Sequence, residues 1–287
     1  MKVLIVYDGS QAAESELQDL QKAGLSDCAD VLALAVVETW SSLEKAREIE
    51  KLAVQTKEYL RQEFPLWRIR AETVYGSPAR EVLIKAESFR PDLIVIGEPC
   101  HEKTEKHTLL GKISQKVLGE LPCSVRIARC QRGKKVRPAR IVVGFDGSIG
   151  AQTAIDAVAS RSWRKDSEVR LVVVNDANMA SSVGHFPAPT GSLPGEAKLL
   201  EQLMEKTAEA PIRKLKAAGL SATLWMATGD PKDVLLEQAE KWHADSIFVG
   251  PNRIGRSFDR FMLGTISSAV AARASCSVEV ARDRHRI

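Results

Sequence analysis

Short, almost wholly apolar runs alternate along this chain with longer stretches in which apolar residues recur at helical spacing among charges. Residues 3–7 (Val-Leu-Ile-Val-Tyr) and 31–37 (Val-Leu-Ala-Leu-Ala-Val-Val) have no polar face, the pattern of strands buried on both sides. Residues 41–64 instead place Leu43, Ala46, Ile49, Ala53 and Leu60 on one helical face with charges between them. The pattern predicts strands at 3–7, 31–37, 68–75, 93–96 and 124–128, and helices over 14–23 and 41–64. A third helix opens at Ser77-Pro78, with serine as N-cap and proline at the first position, where a missing N–H is harmless. A fourth follows Gly111.

The same pattern is then written again. Val3-Leu4-Ile5-Val6-Tyr7-Asp8-Gly9-Ser10 returns as Ile141-Val142-Val143-Gly144-Phe145-Asp146-Gly147-Ser148, 138 positions later. Val36 and Val174 match at that offset. Gly76-Ser77-Pro78 pairs with Gly229-Asp230-Pro231 at an offset of 153, as do Gly97 with Gly250, Gly111 with Gly264, and the two Cys-Ser-Val runs beginning at Cys123 and Cys276. The single change of 15 residues assigns an inserted loop to 179–195, rich in Ser, Gly and Pro. Two repeats follow, 1–133 and 139–287. In the second, strands are predicted at 140–145, 169–174, 246–249 and 277–280, and a long helix over 196–218 that Pro211 should kink or break in two. Strand–helix alternation predicts α/β architecture: two doubly wound domains, each a five-stranded parallel sheet with helices on both faces.

Bulk properties narrow the class without naming a function. Of the 287 residues 44% are apolar and 27% charged, an ordinary globular balance. No apolar run approaches the ~20 residues that span a bilayer, and the first apolar run is too short for a secretory signal core. Five cysteines without a C-x-x-C suit reduced thiols, so a cytoplasmic protein is expected. Cys100, His101 and His107 match no zinc spacing. The net charge is +4, and its basic clusters at 129–140 and 282–286 contain no aromatic residue, which argues against nucleic-acid binding. There is no G-x-S-x-G, Walker A or G-x-G-x-x-G motif, so enzymatic activity is expected at most as a slow ATPase.

The chemistry-bearing stretches follow the fourth strand of each repeat: Gly97-Glu98-Pro99-Cys100 leading to Leu110-Gly111-Lys112-Ile113-Ser114, and Gly250-Pro251-Asn252-Arg253 leading to Leu263-Gly264-Thr265-Ile266-Ser267. A glycine ending the strand lets a ligand approach the backbone. A second glycine with hydroxyl residues at a helix start offers free N–H groups and a positive helix end, which suits phosphate. Asp8 and Asp146 stand at strand ends, where open α/β sheets bind ligands. The same residues have plain structural uses: glycines can end strands, and Asp, Ser or Thr can cap helices.

In this order the motifs resemble the universal stress protein family over nearly the whole chain. The resemblance implies a Rossmann-like fold with strand order 3-2-1-4-5, a tandem pseudo-dimer with a further homodimer allowed, and ATP or ADP as ligand, with Mg2+ as its companion ion. It implies that Asp146 and Val174 meet the nucleoside, that Gly250 and Arg253 lie along ribose and phosphates, and that Gly264, Thr265 and Ser267 cradle the phosphates. The corresponding first-repeat set is Asp8, Val36, Gly97, Cys100, Gly111, Lys112 and Ser114. Both repeats depart from the family's G-x2-G-x9-G-[S/T] pattern: Cys100 and Arg253 replace the middle glycine, and each loop is one residue longer. Gly255 offers the second repeat a displaced glycine. Lys112 replaces the hydroxyl residue of the first, where it would meet a phosphate or fill an empty phosphate site. The expectation is a nucleotide-responsive stress regulator that binds at the second repeat and acts through a protein partner. A nucleotide-free scaffold and a weak ATPase remain the alternatives.

Overall fold

The computed structural model describes residues 1–7, 11–99, 110–129, 137–175, 196–251 and 264–283. Asp8, Cys100, Arg253, Gly255 and the 179–195 insert lie outside them. The first half runs β1 (Lys2–Tyr7), α1 (Gln11–Leu20), β2 (Asp30–Val37), α2 (Leu43–Glu63), β3 (Arg68–Tyr75), α3 (Pro78–Phe89), β4 (Leu93–Gly97), α4 (Lys112–Glu120) and β5 (Ser124–Ala128). The second runs β6 (Arg140–Gly144), α5 (Ile149–Ala159), β7 (Glu168–Asn175), α6 (Glu196–Ala217), β8 (Ser221–Thr228), α7 (Pro231–Lys241), β9 (Ser246–Val249), α8 (Thr265–Arg273) and β10 (Ser277–Val280). Within each half every strand pairing is parallel and the order is 3-2-1-4-5.

The halves share one sheet. β5 pairs antiparallel with β10, giving ten strands in the order β3-β2-β1-β4-β5-β10-β9-β6-β7-β8. A single apolar cluster spans both halves, joining Val82 and Phe89 of α3 and Leu118 of α4 to Val234 of α7 and Val270 of α8. Separate clusters fill beneath α1 with α2, and beneath α5 with α6. β1, β2, β4 and β6 are almost wholly apolar because both of their faces are covered, which is what made them readable.

Three local expectations change. β8, the third strand of the second half, is not marked by the pattern: as an edge strand it fully buries only Ala222, while Leu224 and Met226 are half-buried and Trp225 is exposed. Leu43 is solvent-exposed at the start of α2, and Thr56 completes the buried stripe instead. α6 is not broken at Pro211. Met204, Ala208, Pro211 and Leu215 form one buried stripe that continues past the proline, and that packing offsets the lost backbone hydrogen bond.

Charge is buried where the halves meet. Arg126 and Glu279 are opposed in the β5–β10 register and both are 0% exposed. Arg126 makes a two-pronged contact with Asp19 of α1, at 2.6 and 2.9 Å. Arg161, after α5, pairs with Glu279. Burial works against a charged Arg126, but Asp19 and then Glu279 outweigh it and hold its pKa above the ordinary arginine value.

Candidate functional site

Having laid β7 and β8 on one side of β6, the chain crosses to lay β9 on the other. The carboxyl ends of β6 and β9 therefore flank a topological switch point, where diverging connections leave a crevice. Asp146 follows β6 and is exposed. Its Oδ1 accepts a hydrogen bond from the Ser148 N–H at 2.9 Å, across Gly147 at φ +76°. Ser148 caps α5, its hydroxyl accepting from the Ala151 N–H at 3.1 Å. The helix thus has its cap from serine, and the Asp146 carboxylate stays accessible at the rim. Val174, two residues past the β6-paired Val172, is half-buried beside it.

The end of β9 is held by packing. A Cβ on Gly250 would lie 2.0 Å from the carbonyl carbon and oxygen of Gly150, and one on Gly150 would lie 2.3 Å from the Pro251 carbonyl oxygen. Gly250 is therefore needed for the close crossing of α5 over the strand end. Ser267 is buried and its hydroxyl donates to the Gly250 carbonyl at 2.7 Å, pinning α8 to β9. The N-cap of α8 is Gly264, which has no side chain to cap with, and Thr265 stands exposed at the first helical position. The Ser267 bond thus anchors the first turn of α8, with its uncapped N–H groups, at the carboxyl end of β9.

The first half fills the corresponding place with its own acid. Glu98, immediately after β4, is buried, and its Oε1 accepts from the Gly111 N–H at 3.1 Å and from the Ser114 hydroxyl at 2.5 Å. A Cβ on Gly111 would lie 2.6 Å from that oxygen, so a larger residue there would push the carboxylate aside. Gly97 ends β4 opposite Ala128, Ser114 is buried beneath the carboxyl, and Val36 is buried in β2. Lys112 is exposed; the group at the mouth of α4 is Glu98. The second half carries Pro251 at that position, which has neither a carboxyl nor an N–H. The sequence contained the signal, an acid thirteen residues before the helix start in one repeat and a proline in the other. Only the fold connects the two ends of that loop.

Among the described residues no cluster of three or more His, Cys, Asp or Glu is placed to hold a metal. None of the described helices is long and apolar enough to cross a membrane.

The model of the universal stress protein family matches residues 1–129 and again 139–282. The chain is 27% identical over 150 residues to universal stress protein MJ0531 of Methanocaldococcus jannaschii, covering 50% of this chain and 81% of that one. It is 33% identical over 67 residues to a universal stress protein A-like protein of Arabidopsis thaliana, of which the match spans 38%. A universal stress protein of Archaeoglobus fulgidus superposes with a TM-score of 0.65 at 19% identity, covering 98% of each chain. Half-length matches include an Arabidopsis thaliana family protein described with AMP bound and a universal stress protein in complex with cAMP, at TM-scores of 0.33 and 0.35. With both halves matched by the one family model and the sheet order repeated in each, the chain belongs to the universal stress protein family, in tandem form.

Proposed function

We propose that this chain is a cytoplasmic adenine-nucleotide-binding regulator of a stress response, and that it takes one ATP or ADP at its second half. The observation that carries the reading is the contrast between Glu98 and Pro251. One helix start is closed by an internal acid; the other has neither a capping side chain nor an acid at the matching position. In the second half the α8 first-turn N–H groups and the Thr265 hydroxyl would donate to phosphate oxygens. Asp146 would accept from a ribose or adenine donor, and Val174 would face the base. Arg253 would add positive charge along the phosphates. Binding would be read by a protein partner through the segments flanking β9 and α8.

Titration of the full chain with ATP, ADP, AMP and cAMP by calorimetry tests this. One site is expected, weakened about tenfold or more by Asp146→Ala, as expected for a lost charge-assisted hydrogen bond. Two equal sites, or none, would refute it. A nucleotide-free scaffold is the second reading, favoured by Gly250 and Ser267, which the chain itself already engages. Mass spectrometry of small molecules released on denaturing the purified protein separates the two. Any ATP turnover that survives both Asp146→Ala and Thr265→Ala would belong to a contaminant.

A further inference from the structure

The strand pairing between the halves is two-fold symmetric, and charge breaks the symmetry at its axis and, further out, at the Lys22–Asp245 pair, whose equivalents are Ser160 and Asp92. In the β5–β10 register Arg126 opposes Glu279, Val125 opposes Val280 and Ile127 opposes Val278. The repeat offset of 153 equates Arg126 with Glu279, Val125 with Val278 and Ile127 with Val280. The axis therefore passes through the Arg126–Glu279 pair, and in a symmetric association that position meets its own copy.

The contacts around the axis obey the symmetry. The Ser277 hydroxyl accepts from the Arg129 N–H at 2.9 Å and lies 3.2 Å from the Arg129 carbonyl, while its proton goes to Asp19 Oδ1 at 2.6 Å. Its counterpart Ser124 accepts from the Arg282 N–H at 3.0 Å and donates to the Arg282 carbonyl at 3.3 Å. Arg129 Nη2 donates to the Ala271 carbonyl at the end of α8, at 2.7 Å, and Arg282 Nη2 to the Leu118 carbonyl at the end of α4, at 2.5 Å. Ala271 and Leu118 are again 153 positions apart. Each half thus reaches across to hold the other's last helix by its carbonyl end, where a cation is favoured. Apart from the Ser277–Asp19 bond, these contacts would form equally well between two copies of the first half or two copies of the second.

The axis is different. Arg126 Nη1 lies 3.5 Å from Glu279 Oε2, and both side chains are fully buried. Asp19 supports Arg126 from its own half, and Arg161 supports Glu279 from the other. The equivalents of Asp19 and Arg161 at the offset of 138 are Ala157 and Ala23, so these supports are not repeated. We infer that this buried pair is the pairing-specificity determinant of the tandem: it makes a first half accept only a second half on its β5 edge, and the reverse. A first–first pair would set Arg126 against Arg126, and a second–second pair Glu279 against Glu279. Asp19 or Arg161 would still balance the total charge, but attraction across the axis would become repulsion in a dry site that salt screens weakly. The occupant of each edge is therefore the complementary half, which the same chain supplies at high effective concentration.

The test begins with the full chain, folded and then cut at a protease site placed in the connection between β5 and β6. The cut protein is unfolded in urea and refolded, and native mass spectrometry counts the three kinds of pair. First–second pairs should exceed either like pair by more than about tenfold. In the variant carrying Asp19→Asn, Arg126→Gln, Arg161→Gln and Glu279→Gln the preference should fall to that of random pairing. A random mixture from the unaltered protein, or an undiminished preference in the neutral variant, would overturn the inference. If cut halves do not refold, two intact chains with different affinity tags are refolded together. Unaltered chains should not co-capture, and neutral chains should do so increasingly with concentration. Equal co-capture by both would overturn it as well. Nucleotide binding enters neither measurement, so failure of the proposed function leaves this test standing.

Discussion

A buried side chain can close a site as effectively as a missing residue. Glu98 satisfies the Gly111 N–H and the Ser114 hydroxyl together. Glu98→Ala should cost about 1–3 kcal/mol, because both donors lose their acceptor. Urea unfolding would read the loss, and Pro251→Ala should show little of it. Gly24 is a second single-residue test. It sits at φ +61°, and a Cβ there would lie 2.6 Å from the Trp163 ring. Gly24→Ala should destabilise by roughly 1–3 kcal/mol, and an unchanged melting temperature would contradict that geometry. Among the described cysteines Cys28 is exposed while Cys123 and Cys276 are buried. Burial pushes the Cys276 thiol up to about 12 from an ordinary 9.0. Peptide mapping after alkylation at pH 8 should find Cys28 modified and Cys276 intact. Since the folded-state pKa is the higher one, this thiol's effect on stability is nil below pH 9 and becomes a loss as pH rises towards 12. Asp146, Thr265 and Gly264 were legible as candidates because a strand end and a helix start are written in local sequence. Glu98 was not, because its partners lie across a loop and nothing local marks the contact.

The α5–β9 crossing and the start of α8 control the candidate site at the level of elements. Ser148→Ala should remove about 1 kcal/mol by uncapping α5. Gly250→Ala should cost considerably more, since its Cβ would overlap the backbone of Gly150 rather than a movable side chain. Thermal unfolding of the two variants side by side checks the ranking; equal losses would mean that α5 does not press on the strand end. The same contact explains why Gly250, read from sequence as a glycine cleared for a ligand, is required whether or not a ligand comes. Of the two outcomes expected at Pro211, the break does not occur, and the apolar pattern misses β8. Propensity rules describe an isolated helix, whereas α6 is held by its buried stripe, and an edge strand needs no continuous apolar run.

The molecule as a whole is one sheet with one apolar cluster running beneath its junction. Unfolding should therefore be a single cooperative transition, and two resolved calorimetric transitions would contradict it. Arg126→Met should lower stability by about 3–5 kcal/mol, because it leaves Asp19 and Glu279 as buried charges without their shared cation. High salt should not mimic the effect, since the pair is dry.

Local sequence wrote most of the elements, their repetition and the alternation of strands with helices, because burial on two faces and helical spacing are local, periodic properties. It also pointed to the paired strand ends and helix starts. Only the tertiary structure decided what those features do. Through-space proximity put Glu98 into one helix start and left Pro251 by the other, drew Gly250 against Gly150, and set Arg126 opposite Glu279. Each of those contacts joins residues far apart in the chain, and a distance that depends on folding leaves no period in the sequence.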